Sequence, residues 1–154
     1  MPDDLVIATP DGLYCPPGDF HIDPWRPVGD AVITHAHADH ARSGHAAYLA
    51  ARDSEGVLRA RLGADIALTT LDWGETIQRC GVTLSLHPAG HVLGSAQLRI
   101  EHAGRVWVVS GDYFVSGAGD TNSTCPPSGC HVGSESFAEL SVTRCWPVPS
   151  ACIT

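Results

Sequence analysis

Lysine is missing from this chain: the nine basic residues among its 154 are all arginines, and 17 carboxylates outweigh them to leave a formal charge of −8. A balance of that sign argues against the broad basic face that nucleic-acid-binding proteins usually show. It does not exclude a nucleic-acid substrate, because carboxylates that ligate cations are offset locally by those cations. Arginine without lysine suits bidentate phosphate contacts, but a GC-rich coding sequence explains it more simply. Also lacking is any apolar run near the ~20 residues that a membrane helix needs, and the start Met1-Pro2-Asp3-Asp4 carries no positively charged leader. The cytoplasm is therefore the expected compartment. Disulfides are not strongly signalled, since Cys15 and Cys80 stand alone while Cys125, Cys130, Cys145 and Cys152 crowd the C-terminal end. With 44% hydrophobic and only 17% charged residues, the chain is no disordered segment, and its length suits one packed domain.

What is present reads mainly as short strands. Leu5 to Ala8, Gly12 to Tyr14 and Phe20 to Ile22 are apolar or alternating runs, broken by Pro10-Asp11, by Pro16-Pro17-Gly18 and by Asp23-Pro24. Ala31 to Thr34 is continuously apolar up to its last residue, the pattern of a strand buried on both faces. Ala46, Leu49 and Ala50 fall at helical spacing, which predicts a helix from Ser43 to Ala51 with Ser43 as its N-cap. A second helix is expected around Gly56 to Leu62. Further strands are read at Ile66 to Thr69, Val82 to Leu86, Ala96 to Ile100 and Val106 to Val109, the last two joined as a hairpin through His102-Ala103-Gly104.

The chemistry concentrates in three places. The strand Ala31 to Thr34 runs into His35-Ala36-His37-Ala38-Asp39-His40, where four metal-ligand side chains are spaced by small alanines that let the backbone turn tightly around an ion. In an extended segment His35 and His37 share a side, and the following turn can aim Asp39 and His40 at a neighbouring position. A polar loop or a helix start is the plain alternative. His91 lies between Gly90 and Gly94 in a loop between two strands, where missing side chains permit close approach to a ligand; alone it would be an ordinary loop histidine. Asp112 follows Ser110-Gly111 at the end of the strand Arg105 to Val109, placed either to cap a turn or to bridge two cations with its two oxygens. Asp23 is either a support for a metal-bound histidine or a turn-forming Asp-Pro. His21, His45, His87 and His102 receive no role. Trp25 and Trp73 are candidates for base stacking, whereas Trp107 belongs to the core.

In this order, the HxHxDH block, the loop Ala89-Gly90-His91-Val92-Leu93-Gly94-Ser95-Ala96 and the Ser110-Gly111-Asp112 turn resemble the metallo-β-lactamase superfamily. The form of the histidine loop is similar to that of its β-CASP-like and RNA 3′-end-processing nucleases. Leu13 to Phe20 and Ile22-Asp23-Pro24-Trp25 further resemble bacterial ligase-associated DNA exonucleases. The resemblance implies a partial αββα sandwich of the α/β (α+β) class, the N-terminal half of that domain, with a metal site at its strand ends. It implies two divalent metal ions, zinc or alternatively manganese, the first held by His35, His37 and His91, the second by Asp39 and His40, with Asp112 shared. Asp39 and His40 would be the catalytic residues, Asp39 orienting an activated hydroxide for phosphodiester hydrolysis.

The implied partner is nucleic acid, DNA before RNA, in DNA repair, with a DNA ligase and a helicase as protein partners. An RNA-processing nuclease, a thioester or lactam hydrolase on the same scaffold and an inactive truncated remnant are the rival readings, the last because the resemblance implies one further histidine ligand downstream. The domain is expected over residues 1–114. Residues 115–154 read as an irregular tail whose Cys-, Ser- and Pro-rich texture suggests a frameshift or truncation soon after Tyr113, with Glu135 to Val142 as its one short element. The spacings Cys125 to Cys130 and Cys145 to Cys152 are wider than zinc-knuckle spacings, so no structural zinc is expected there. Half a sandwich should expose a sheet face and edge and self-associate.

Overall fold

Valine, leucine and isoleucine alternate with polar residues through the middle of the chain, and that alternation builds the core. A computed structural model describes residues 4–113 together with the backbone of Ser134–Phe137 and Leu140–Cys145. Strands β7 (Thr76–Arg79), β8 (Val82–Pro88), β9 (Ala96–His102) and β10 (Arg105–Ser110) pair antiparallel. Leu84 lies opposite Ile100 and Ile100 opposite Trp107, while Leu86, Leu98 and Val109 form the next row. All six are buried on one face of this sheet. At about 1.5–3 kcal/mol for each large apolar side chain fully withdrawn from water, these rows are a principal source of stability.

The first sheet supplies the opposite wall. Its strands β1 (Ile7–Thr9), β2 (Gly12–Cys15), β3 (Phe20–Ile22), β4 (Asp30–Val32), β5 (Ala47–Ala51) and β6 (Leu68–Leu71) lie side by side in sequence order, antiparallel as far as β3 and parallel from β3 to β6. Leu13, Phe20, Ile22, Val32, Ala51 and Leu71 pack on the rows of the second sheet. On the other face Ala31, Ile33, Tyr48 and Ala50 pack with Leu58 of helix α1 (Glu55–Leu62). The strand leading to the histidines is thus buried on both faces, as its continuous apolar character indicated. The architecture is α+β: two sheets face to face, with a helix outside the first.

Three differences from the sequence reading are informative. The expected helix from Ser43 to Ala51 is instead strand β5, hydrogen-bonded between β4 and β6. Tyr48 and Ala50 face the helix side while Leu49 and Ala51 face the inter-sheet core, so the true period is two and the helical spacing of Ala46, Leu49 and Ala50 was coincidental. A central position between two parallel strands overrides local propensity. Strand β7 was missed. It joins β8 through Cys80-Gly81, both at positive φ (48° and 81°), the type I′ hairpin geometry that Ala103-Gly104 repeats between β9 and β10. Finally, the one short element expected from Glu135 to Val142 is two strands: β12 (Leu140–Cys145) pairs antiparallel with β10, and β11 (Ser134–Phe137) pairs with β12. The remainder of the expected irregular tail, including Cys125 and Cys130, lies outside the described residues. No helix among the described residues is long and apolar enough to cross a membrane.

Candidate metal centre

The parallel strands of the first sheet all end on one side, and the side chains singled out from the sequence meet there. Asp23, one residue past β3, takes a positive φ of 42°, a conformation that Asp tolerates better than most residues. Its buried carboxylate accepts the Thr34 N–H at 2.7 Å through Oδ1, and through Oδ2 the Thr34 hydroxyl at 2.5 Å and His40 Nδ1 at 2.7 Å. One carboxylate thereby fastens the end of β3 to the end of β4 and to the turn in which Ala41 N–H bonds the His37 carbonyl at 2.8 Å. From the second sheet, Gly111 comes so close to Thr34 that an added Cβ would lie 3.0 Å from Thr34 Cβ and 3.4 Å from His35 Nδ1. Only glycine fits there, and this approach delivers Asp112 to His35.

His35, His37, His91 and Asp112 each offer one ligand atom, and the four atoms lie within 4.8 Å of one another; Asp23, His35 and His40 form a second such group. His91 Nε2 is 3.4 Å from His37 Nδ1 and 3.3 Å from Asp112 Oδ2, and His35 Nε2 is 3.7 Å from Asp112 Oδ2. The other oxygen of Asp112, Oδ1, lies 3.6 Å from His40 Nε2, which is itself 3.5 Å from Asp39 Oδ2. Asp112 therefore turns one oxygen toward His35 and His91 and the other toward His40. All six residues singled out from the sequence are drawn to this one edge.

The donor set fits a cation. Ligands about 2.0–2.1 Å from a tetrahedral zinc lie roughly 3.3–3.4 Å apart, close to the His91–His37 and His91–Asp112 separations of 3.4 and 3.3 Å. His35 Nε2 is buried and has no hydrogen-bond partner among the described residues. Tautomers follow from the network. The Thr34 hydroxyl gives its proton to Asp23, so at 3.1 Å it accepts from His35 Nδ1–H, leaving Nε2 of neutral His35 with a lone pair toward the cluster. His40 likewise donates from Nδ1 to Asp23 and aims Nε2 inward. Burial, with neighbouring His40 adding to it, pushes His35 down to about 4, so that it is neutral and ready to ligate at pH 7. Burial also acts to lower His40, but the Asp23 hydrogen bond and the charges of Asp23, Asp39 and Asp112 outweigh it and hold its pKa above the ordinary value. The site is graded in access: the His35 side chain is 0% exposed, His91 30% and Asp39 52%.

Part of this chain is similar to part of a curated protein. The match is to a "Probable DNA ligase" of Opitutus terrae, 40% identical over 105 residues, covering 66% of this chain and 10% of that protein. The chain thus spans about a tenth of the length of this curated relative. No family model matches.

Sequence reasoning left Asp23 open and passed over Thr34, Ser95 and Gly111. Ser95 Oγ accepts the N–H groups of His91 and Val92 at 3.0 and 3.2 Å, shaping the histidine loop from within. Thr34 and Gly111 each adjoin a candidate ligand in sequence, which was the available signal; Ser95, four residues from His91, offered none. His21, His45, His87 and His102 fall outside both metal-holding groups. His45 Nδ1 instead accepts Val28 N–H at 3.3 Å, and His102 reaches the Gly81 carbonyl at 3.0 Å.

Proposed function

We propose that this chain carries the metal-binding part of a metallo-β-lactamase-fold αββα sandwich and that it hydrolyses phosphodiester bonds in DNA. The observation that carries this reading is the convergence of three histidines and a two-faced aspartate, His35, His37, His91 and Asp112, beside a second pair, Asp39 and His40. His35, His37 and His91 would hold one divalent ion, zinc or manganese, Asp39 and His40 a second, with Asp112 shared. Bound divalent ions supply water activation and neutralisation of phosphate charge. The chain's own residues do the rest. Asp23 orients His40 and, through Thr34, His35. Asp39, half exposed at the rim, would accept a proton from an attacking water. The name of the similar protein favours DNA over RNA, with sealing of DNA breaks as the setting and a DNA ligase as the working partner.

Elemental analysis after gel filtration should find up to about two equivalents of zinc, with His37→Ala and Asp112→Ala each lowering it. With zinc or manganese supplied, end-labelled DNA should be degraded and chelator should stop the reaction, while nitrocefin and glutathione thioesters stay intact. Thioester turnover without DNA cleavage would overturn the reading in favour of an acyl hydrolase on the same scaffold.

A further inference from the structure

The described residues expose five large hydrophobic side chains, Trp25, Val57, Trp73, Leu93 and Tyr113. Val57 lies on α1. Leu93 is two residues from His91, and Tyr113 adjoins Asp112. Hydrogen bonds and packing tie the tryptophans to the ligand-bearing segments. Arg42 joins the Trp25 carbonyl to the Asp39 carbonyl, and Trp73 bonds Asp53, whose neighbour Ser54 packs against Gly94 of the His91 loop.

Both indoles are held in place. Trp25 Nε1–H donates to the Pro10 carbonyl at 2.7 Å, and its backbone N–H donates to the Asp11 carbonyl at 3.0 Å. Trp73 Nε1–H donates to Asp53 Oδ2 at 3.0 Å. Arg42 spans the gap to the cluster, its Nε donating to the Asp39 carbonyl at 3.3 Å and its Nη1 to the Trp25 carbonyl at 3.4 Å. Trp25 is 42% and Trp73 37% exposed, so the core does not account for either ring. A fixed, exposed ring loses little freedom when another flat ring stacks on it. Charge narrows the ligand further. Arg26 faces Asp11 at 3.9 Å and Arg52 faces Asp72 at 2.5 Å, and the chain as a whole carries −8, so phosphate attraction at this rim is damped. Stacking must then carry affinity, and only unpaired bases offer their faces.

We infer that Trp25 and Trp73 form a stacking track for single-stranded DNA, leading a strand across the metal centre; this rests on the phosphodiesterase reading above. The test is a tryptophan-fluorescence titration of the full chain with oligothymidylate in EDTA, where no cleavage occurs, beside a blunt duplex of equal length. The single strand should quench the fluorescence and the duplex should bind much more weakly. Trp25→Leu and Trp73→Leu, which keep apolar bulk without a π face, should each weaken binding about fivefold or more, whereas Trp25→Phe and Trp73→Phe should retain most of it. Because Leu and Phe both lose the indole N–H, a merely structural role would move the two alike. Equal affinities for the Leu and Phe variants, or duplex binding as tight as single-strand binding, would overturn the track. The zinc-loaded protein is assayed in parallel on bis(p-nitrophenyl) phosphate, which has no base to stack. Hydrolysis there with a failed titration removes the track and leaves the phosphodiesterase; stacking without hydrolysis does the reverse.

Discussion

Gly94 and Gly104 share nearly the same φ, 75° and 76°, but not the same surroundings. A Cβ on Gly104 would meet nothing within 4 Å, whereas one on Gly94 would lie 2.6 Å from Ser54 Cβ and 2.7 Å from Ser54 Cα. The histidine loop thus rests directly on the turn that follows β5. Alanine at either position carries the left-handed penalty of about 1–2 kcal/mol. At Gly94 backbone must also move, adding an overpacking cost of about 1–3 kcal/mol. Gly94→Ala should therefore be less stable than Gly104→Ala by about 1–3 kcal/mol, or about 2–12 °C in Tm for a domain of this size. Thermal and urea unfolding in chelator measure the difference without metal linkage. Gly94→Ala should also lose zinc affinity, since His91 belongs to the displaced loop, while Gly104→Ala should keep it. Equal destabilisation by the two, with equal zinc content, would refute the claim that contact with Ser54 sets the position of His91.

Asp23→Asn keeps the size but loses the charge-assisted bonds to His40 and Thr34. It should lower zinc affinity about 10–100-fold, read by competition with a chromogenic chelator. In chelator, acid should destabilise the fold through His35. Its folded pKa is depressed from 6.5 to about 4, so its stabilising contribution is whole above about pH 6.5 and is lost as pH falls toward 4. The loss is roughly 3 kcal/mol at about 1.4 kcal/mol per unit, opposed in part by His40, whose shift is upward and whose contribution therefore persists in acid; urea midpoints between pH 7 and pH 4 measure it. Cys80→Asn, at the exposed φ 48° position of the β7–β8 turn, should raise stability by a few tenths of a kcal/mol to about 1 kcal/mol, because Asn suits a type I′ turn better than Cys does. Leu98→Ala, in the fully buried central row of the second sheet, should cost about 2–5 kcal/mol in the same assay.

Strands β2, β3, β8, β9 and β10 were legible because their alternation or turn residues are local properties. Strand β5 was not, because its identity is set by its neighbours β4 and β6, and a nine-residue window with four alanines, Ser43 to Ala51, is compatible with either period. Strand β7 is short and polar on one side, and only the Gly81 turn betrayed it. At the site, the chemically distinctive side chains His35, His37, Asp39, His40, His91 and Asp112 could be named from the sequence. The groups that hold them could not. Thr34, Ser95 and Gly111 act through where they sit: a hydroxyl between two other side chains, a serine capping its own loop, and an absent Cβ. Such roles carry no periodicity and no unusual composition.

The two sheets are laced at both ends. At the start of β4, Arg79 of the second sheet pairs with Asp30 at 2.5 Å and donates to the Gly18 carbonyl at 2.9 Å, both on the first sheet. At the far end, His35 and His37 belong to the first sheet, while Asp112 follows the second and His91 sits in one of its loops. A cation shared by these four would act as a rivet, closing a long chain loop and resisting the slide of one sheet over the other. Stripping the cation should then loosen the sandwich like a book opened from one side, with amide protons of β4 and β10 near the rivet exchanging sooner while those beside Arg79 stay protected.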